Sequence, residues 1–214
     1  MNVELSKQNM ENTHDLLVDI VKQVVRVASI LNIDSVKEDM FKMVDNYYYY
    51  DFYDITLYII ACDAKITDDE FDKLYYFFSE HIKHITFENV LHSCKNHVER
   101  YRDINDNKYT FTSYDILVKS YSILHRCINE NNIHDEELLE VINMLYNQSF
   151  NMLYLYKNIL VSVINNIVKI EENEILAIEN IIMHLFELEQ DYDILNKSAN
   201  VKEKTHNFLL SQHL

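Results

Sequence analysis

The chain has 214 residues, no glycine, no proline, no tryptophan and a formal net charge of −16. Ordinary usage would supply roughly 7% Gly and 5% Pro. Without them the Gly-rich phosphate loops of nucleotide enzymes cannot be built, and tight β-hairpins lose the residues that adopt φ > 0. Only four arginines (Arg26, Arg100, Arg102, Arg126) accompany the acidic balance, which excludes the basic patches that nucleic-acid binding runs on.

The expectation is therefore an all-α chain whose helix ends close on asparagine in the left-handed region, with Asn32, Asn131, Asn132, Asn165 and Asn166 as candidates. Residues 1–12 read as a disordered N-terminus without the apolar stretch of a signal peptide. Thr13 opens a helix with Leu16, Leu17, Ile20, Val24, Ala28 and Leu31 at helical spacing. A second begins at Asp34 or Ser35 and carries Met40, Val44 and Tyr47; a third covers about 53–62.

The stretch 57–78, LYIIACDAKITDDEFDKLYYFF, is the most informative in the chain. It reads as an apolar helix, a polar corner and a second helix whose start is a T-x-x-E capping box, Thr67 with Glu70. Phe71, Leu74, Tyr75, Phe78 and Ile82 then follow the spacing of a half-buried helix. Thr86 caps the next helix, 102–110 is the most loop-like segment, and Thr112 starts a helix with Leu117, Tyr121, Leu124 and Ile128 inward. Helices at about 135–147, 150–168, 172–195 and 198–211 complete the pass.

The corner recurs: Ile66, Ile133 and Ile170 are each followed four residues later by glutamate (Glu70, Glu137, Glu174). The isoleucines lie 67 and 37 residues apart, too irregular for an ordinary solenoid. The architecture expected is an irregular array of antiparallel helical hairpins, about nine or ten helices in one or two packed bundles. It forms a single domain from 13 to 214, with subdomains 13–102 and 110–214 as a further division.

Asp63-Ala64-Lys65-Ile66-Thr67-Asp68-Asp69-Glu70 resembles the D-G-x-[IV]-[ST]-x-x-E corner of the TerB-like helical proteins. Ala64 stands at the family's glycine, and Glu130 and Ile167 replace the aspartate in the other two copies. The resemblance spans 20 or so residues. It implies paired helices, a stress-linked role and cation binding at acidic corners.

Each corner gathers carboxylates: Asp63, Asp68, Asp69, Glu70 and Asp72; Asp135, Glu136 and Glu137; Glu171, Glu172 and Glu174. First-turn carboxylates stabilise a helix dipole without any ligand. An EF-hand is excluded, because Lys65 occupies loop position 3 and Asp68 the position that needs glycine. His92, Cys94 and His97 form H-x-C-x-x-H, but His92 points away from the face shared by the other two. Three cysteines (Cys62, Cys94, Cys127) are no disulfide framework, and no catalytic motif surrounds them.

Sixteen tyrosines carry more information. A phenol buries area rigidly and keeps a polar tip, the chemistry favoured at protein interfaces. The sequence reading is a cytosolic, non-enzymatic protein-binding inhibitor with no cofactor and no catalytic or metal residue. Its partner would be a basic protein, not a nucleic acid or a membrane, met by Tyr49, Tyr50, Tyr53, Asp63, Asp68, Asp69, Glu70 and Asp72. The small, acidic, motif-poor helical chain is similar in kind to immunity proteins of bacterial toxin–immunity systems, which implies a nuclease toxin as partner. The alternatives are a TerB-like stress or scaffold protein binding cations, and a viral helical immune-evasion protein taking a partner helix in an apolar groove.

Overall fold

The structure is a computed structural model and describes residues 2–33, 39–63, 65–102, 111–131, 135–168, 175–183 and 201–212. The fold is all-α, with eight helices and no strand among the described residues. In order these are α1 (Val3–Ile30), α2 (Asp39–Ile60), α3 (Asp68–Phe78), α4 (Phe87–Arg102), α5 (Thr112–Asn131), α6 (Glu136–Ile167), α7 (175–183) and α8 (Val201–Ser211), with a 3₁₀ turn at Ala61–Asp63 after α2. No helix among the described residues is long and apolar enough to cross a membrane.

Three boundaries differ from expectation, each for a physical reason. α1 starts at Val3 rather than Thr13, because Ser6 and Met10 are buried and hold the first turns in place. The helix expected from Asp34 or Ser35 and the one expected at about 53–62 are one over Asp39–Ile60, as are those at 135–147 and 150–168. Aromatic and polar runs there lower helix propensity by tenths of a kcal/mol per residue, but only Gly or Pro would break the ladder, and the chain has neither. Asn165 and Asn166 accordingly lie inside α6 and not at its end. The starts expected at Asp34 or Ser35, the loop 103–110, the third corner at 169–174 and the stretch 184–200 fall outside the described residues.

Asn32 ends α1 as the sequence implies. It adopts φ 55°, its N–H bonds Ser29 O at 3.2 Å, and Ile33 N–H bonds Ala28 O at 2.9 Å, the paired bonds of a Schellman motif. His84, between α3 and α4, is the other positive-φ residue among the described residues, at 65°. Its carbonyl accepts from the Asn89 amide at 3.1 Å, while Asn89 N–H donates to the Thr86 hydroxyl at 3.2 Å, so Thr86 does cap α4.

The chain divides into two compact units that interleave in sequence and match neither 13–102 nor 110–214. The first comprises Met1–Lys7, Phe52–Tyr109 and Lys157–Leu214. Its core is Ile55, Ile59, Leu74, Phe77, Phe78, Val90, Leu160, Val163 and Ile164. In the last turns of α6, Ile159, Leu160, Val161, Val163, Ile164 and Ile167 are all buried, as in a helix enclosed by others. Ser6 Oγ meets Ser162 Oγ at 2.6 Å and accepts from the Asn166 amide at 2.9 Å, so this buried polar seam is satisfied.

The second unit comprises Gln8–Asp51 and Thr110–Tyr156. Leu17, Ile20, Val24, Ala28, Val44, Leu117, Leu124 and Ile128 are buried as their spacing predicts, while Leu16 and Tyr47 are exposed and Tyr121 is half-buried against Tyr146. Its centre is Tyr156, ringed by Tyr48 (5.5 Å between ring centroids), Phe111 (5.1 Å) and Tyr114 (6.0 Å) in tilted or edge-on contacts.

Candidate functional site: the outer face of α3

The capping box at the first corner forms as read. Glu70 N–H donates to the Thr67 hydroxyl at 3.2 Å, and Thr67 N–H donates to the Glu70 carboxylate at 2.8 Å. These bonds satisfy two of the amides that a helix start leaves unpaired. Glu70 is thereby committed to the fold. Asp69 is engaged too, accepting from Lys73 Nζ at 2.6 Å one turn along.

Asp68 and Asp72 have no such commitment. Both are exposed, and neither accepts a hydrogen bond or pairs with a cation among the described residues. Their i, i+4 spacing sets two like charges side by side, an arrangement that costs a helix a few tenths of a kcal/mol. The helix dipole offsets part of that cost at this end.

One and two turns further the same face carries Tyr75 and Tyr76, 49% and 44% exposed. Tyr75 was expected in the buried stripe, and the structure corrects this. The buried set is Leu74, Phe77 and Phe78, with Phe71 half-buried against Phe87. In the run Leu74–Phe78 every residue is apolar or aromatic, so periodicity alone could not fix which side turns inward. The signal that separates them is the phenolic oxygen: of Tyr-Tyr-Phe-Phe, the two tyrosines face out and the two phenylalanines in.

Tyr76 already holds a cation. Lys7 Nζ, from the first turns of α1, lies 4.9 Å above the Tyr76 ring and bonds Glu80 Oε1 at 2.7 Å. That contact lowers the Glu80 pKa from its ordinary value, through the Lys7 hydrogen bond first and its charge second.

The other residues expected at the interface differ in exposure. Tyr49 is a correction: it is buried, stacked on His14 at 5.0 Å and edge-on to Tyr48 at 5.1 Å, so it is core and not contact surface. The four-tyrosine run spans a full helical turn, and Tyr48 and Tyr49 take its inner half. Tyr50 is 44% exposed but belongs to the second unit. Tyr53 is half-buried against Phe78, with rings 5.5 Å apart. The Asp63 side chain lies outside the described residues.

At the second corner Asp135 caps α6, accepting from Leu138 N–H at 3.1 Å, with Glu136 and Glu137 exposed beside it. The H-x-C-x-x-H motif points in two directions, with His92 exposed and bonded to Asn96 at 2.8 Å while Cys94 is fully buried. The His97 side chain lies outside the described residues.

No family model, curated protein or solved structure matches the chain.

Proposed function

We propose that this protein binds a basic protein partner through the outer face of α3, with Asp68 and Asp72 as its charges and Tyr75 and Tyr76 as its contact area. A partner with a lysine- and arginine-lined cleft, as a nuclease toxin has, would be occluded by such a face, and the protein would then act as an immunity-type inhibitor. The observation that carries this reading is the pair of exposed tyrosines beside two carboxylates that the fold does not use. Aromatic side chains supply binding area at low entropic cost, and the charge of −16 steers a cationic partner toward encounter.

The test is affinity isolation from the native host with wild-type protein and an Asp68→Lys/Asp72→Lys variant. A basic protein retained at low salt, released as salt rises, and not retained by the variant is the expected result. A partner of acidic or neutral character, or retention indifferent to salt and to both reversals, would reject the reading.

A further inference from the structure

Within the second unit, α5 and α6 each place a tyrosine at the same distance from the segment that joins them. Tyr121 stands ten residues before the end of α5, and Tyr146 ten residues after the start of α6. Two helices that fold back on each other bring such positions level. The rings meet there, with centroids 4.8 Å apart and planes inclined by 35°. Rings at that separation are in contact.

Both side chains are half-buried, so the pair reaches solvent. The Tyr121 phenol is raised from its ordinary value, by burial first and by Tyr146 second. One phenol acts on the other in this way only if their hydroxyl ends are close, since charge effects fade with distance. The rings therefore lie head to head, which brings the carbons ortho to each hydroxyl to the same side of the pair. Tyr48, Tyr49, Tyr114 and Tyr156 also form ring contacts, but all four are buried. Tyr50 is exposed and makes no ring contact among the described residues.

We infer that Tyr121 and Tyr146 form a cross-linking site, joined through their ring carbons as dityrosine when hydrogen peroxide is turned over by a haem peroxidase. Each phenol gives up one electron and one proton and becomes a tyrosyl radical. The peroxide takes up the two electrons and two protons and leaves as two waters. The radicals combine in a carbon–carbon bond between ortho positions, and each ring regains aromaticity by moving its ortho hydrogen to oxygen. Rings already in contact turn the meeting of two radicals into an intramolecular step. The product staples α5 to α6, restricts the unfolded chain and so raises stability.

The experiment treats the intact, dilute protein with a haem peroxidase and hydrogen peroxide, and follows dityrosine by fluorescence and by peptide mass spectrometry. Tyr121→Phe and Tyr146→Phe each remove one phenol while keeping the ring, and Tyr50→Phe is the exposed control. Circular dichroism verifies folding before treatment. Peptide mapping of the wild-type protein locates the bond without any variant, and treatment in urea shows what the fold contributes.

The expected product is an internal link between Tyr121 and Tyr146, two hydrogens lighter than the untreated chain, with a yield independent of protein concentration. The yield falls about tenfold or more in Tyr121→Phe, in Tyr146→Phe and in urea, and is unchanged in Tyr50→Phe. The linked protein melts at a higher temperature than the untreated one. A bond mapping to other tyrosines, linked dimers in place of the internal product, or equal yield in urea would overturn the site. So would absence of dityrosine under conditions that couple free tyrosine.

Discussion

The backbone N–H and the hydroxyl of Ser113 both donate to Asp51 Oδ2, at 2.8 and 2.6 Å, across 62 residues of sequence. Ser113 is the second residue of α5, so a carboxylate from the middle of α2 caps a helix to which it is not adjacent in sequence. The Ser113 proton goes to Asp51, which makes the Tyr156 hydroxyl the donor to Ser113 Oγ at 2.7 Å. Tyr156, Ser113 and Asp51 thus form a buried hydrogen-bond chain, and the charge at its end faces the positive end of the α5 dipole.

Removing the acceptor leaves a buried amide and hydroxyl unpaired. Asp51→Ala is expected to cost about 3 kcal/mol, the worth of hydrogen bonds to a charged group plus an orphaned donor. Asp51→Asn keeps an acceptor and should cost about half of that. Urea unfolding of both variants at constant slope measures this. A change below about 0.5 kcal/mol for the alanine variant would show that the cap is dispensable.

The same chain makes the fold alkali-sensitive. Burial first and the Asp51 charge second hold the Tyr156 phenol well above its ordinary value of 10.0. Burial likewise raises Tyr48, whose hydroxyl donates to Met10 O at 2.9 Å. A raised folded-state pKa means the native form keeps protons that the unfolded form gives up. Stability is then intact below the ordinary value and falls as pH climbs past it. Near-ultraviolet titration should show Tyr48 and Tyr156 ionising only together with loss of helical circular dichroism. Ionisation of all sixteen in one step with the helices intact would contradict the buried placement.

Asp54 works in the opposite pH direction from a salt-bridged carboxylate. Crowding by its surroundings raises it from 3.8 although its side chain remains exposed. The native state therefore favours the protonated form. Stability declines as pH rises from 3.8 through the raised value. Asp54→Asn should raise the melting temperature at neutral pH and make no difference in acid below the ordinary carboxyl range. A lower melting temperature at neutral pH would reverse the assignment.

What could be read from sequence was local. Thr67 with Glu70, Thr86 with Asn89 and the left-handed Asn32 are settled within a few residues, so spacing identifies them. Asp51 could not be recognised as a cap, because its amide partner is reached only through the packing of α2 against α5. Spacing does not place Tyr75 outside or Tyr49 inside, because each sits in an aromatic run, where both sides of the helix look equally apolar. The charges of the candidate site were visible as a group. Which of them the fold uses was not: Glu70 and Asp69 are committed, Asp68 and Asp72 are open.

A chain without glycine must pay conformational energy wherever it turns left-handed. Asn32 does so at low cost, since its short polar side chain tolerates that region. His84 does not have that advantage, yet it joins α3 to α4 at φ 65° because Ile82 and Ile85 on either side are buried and fix the path. His84→Gly should therefore stabilise the protein by roughly 0.5–1 kcal/mol, the steric relief exceeding the added freedom of the unfolded chain. His84→Val should destabilise by about 1–2 kcal/mol, since a β-branched residue is least tolerant of positive φ. His84 is exposed and its side chain makes no contribution to the core, so the two substitutions differ only in backbone preference. Thermal unfolding of the pair gives opposite signs if the left-handed turn is as described, and a glycine variant less stable than the valine one would disprove it.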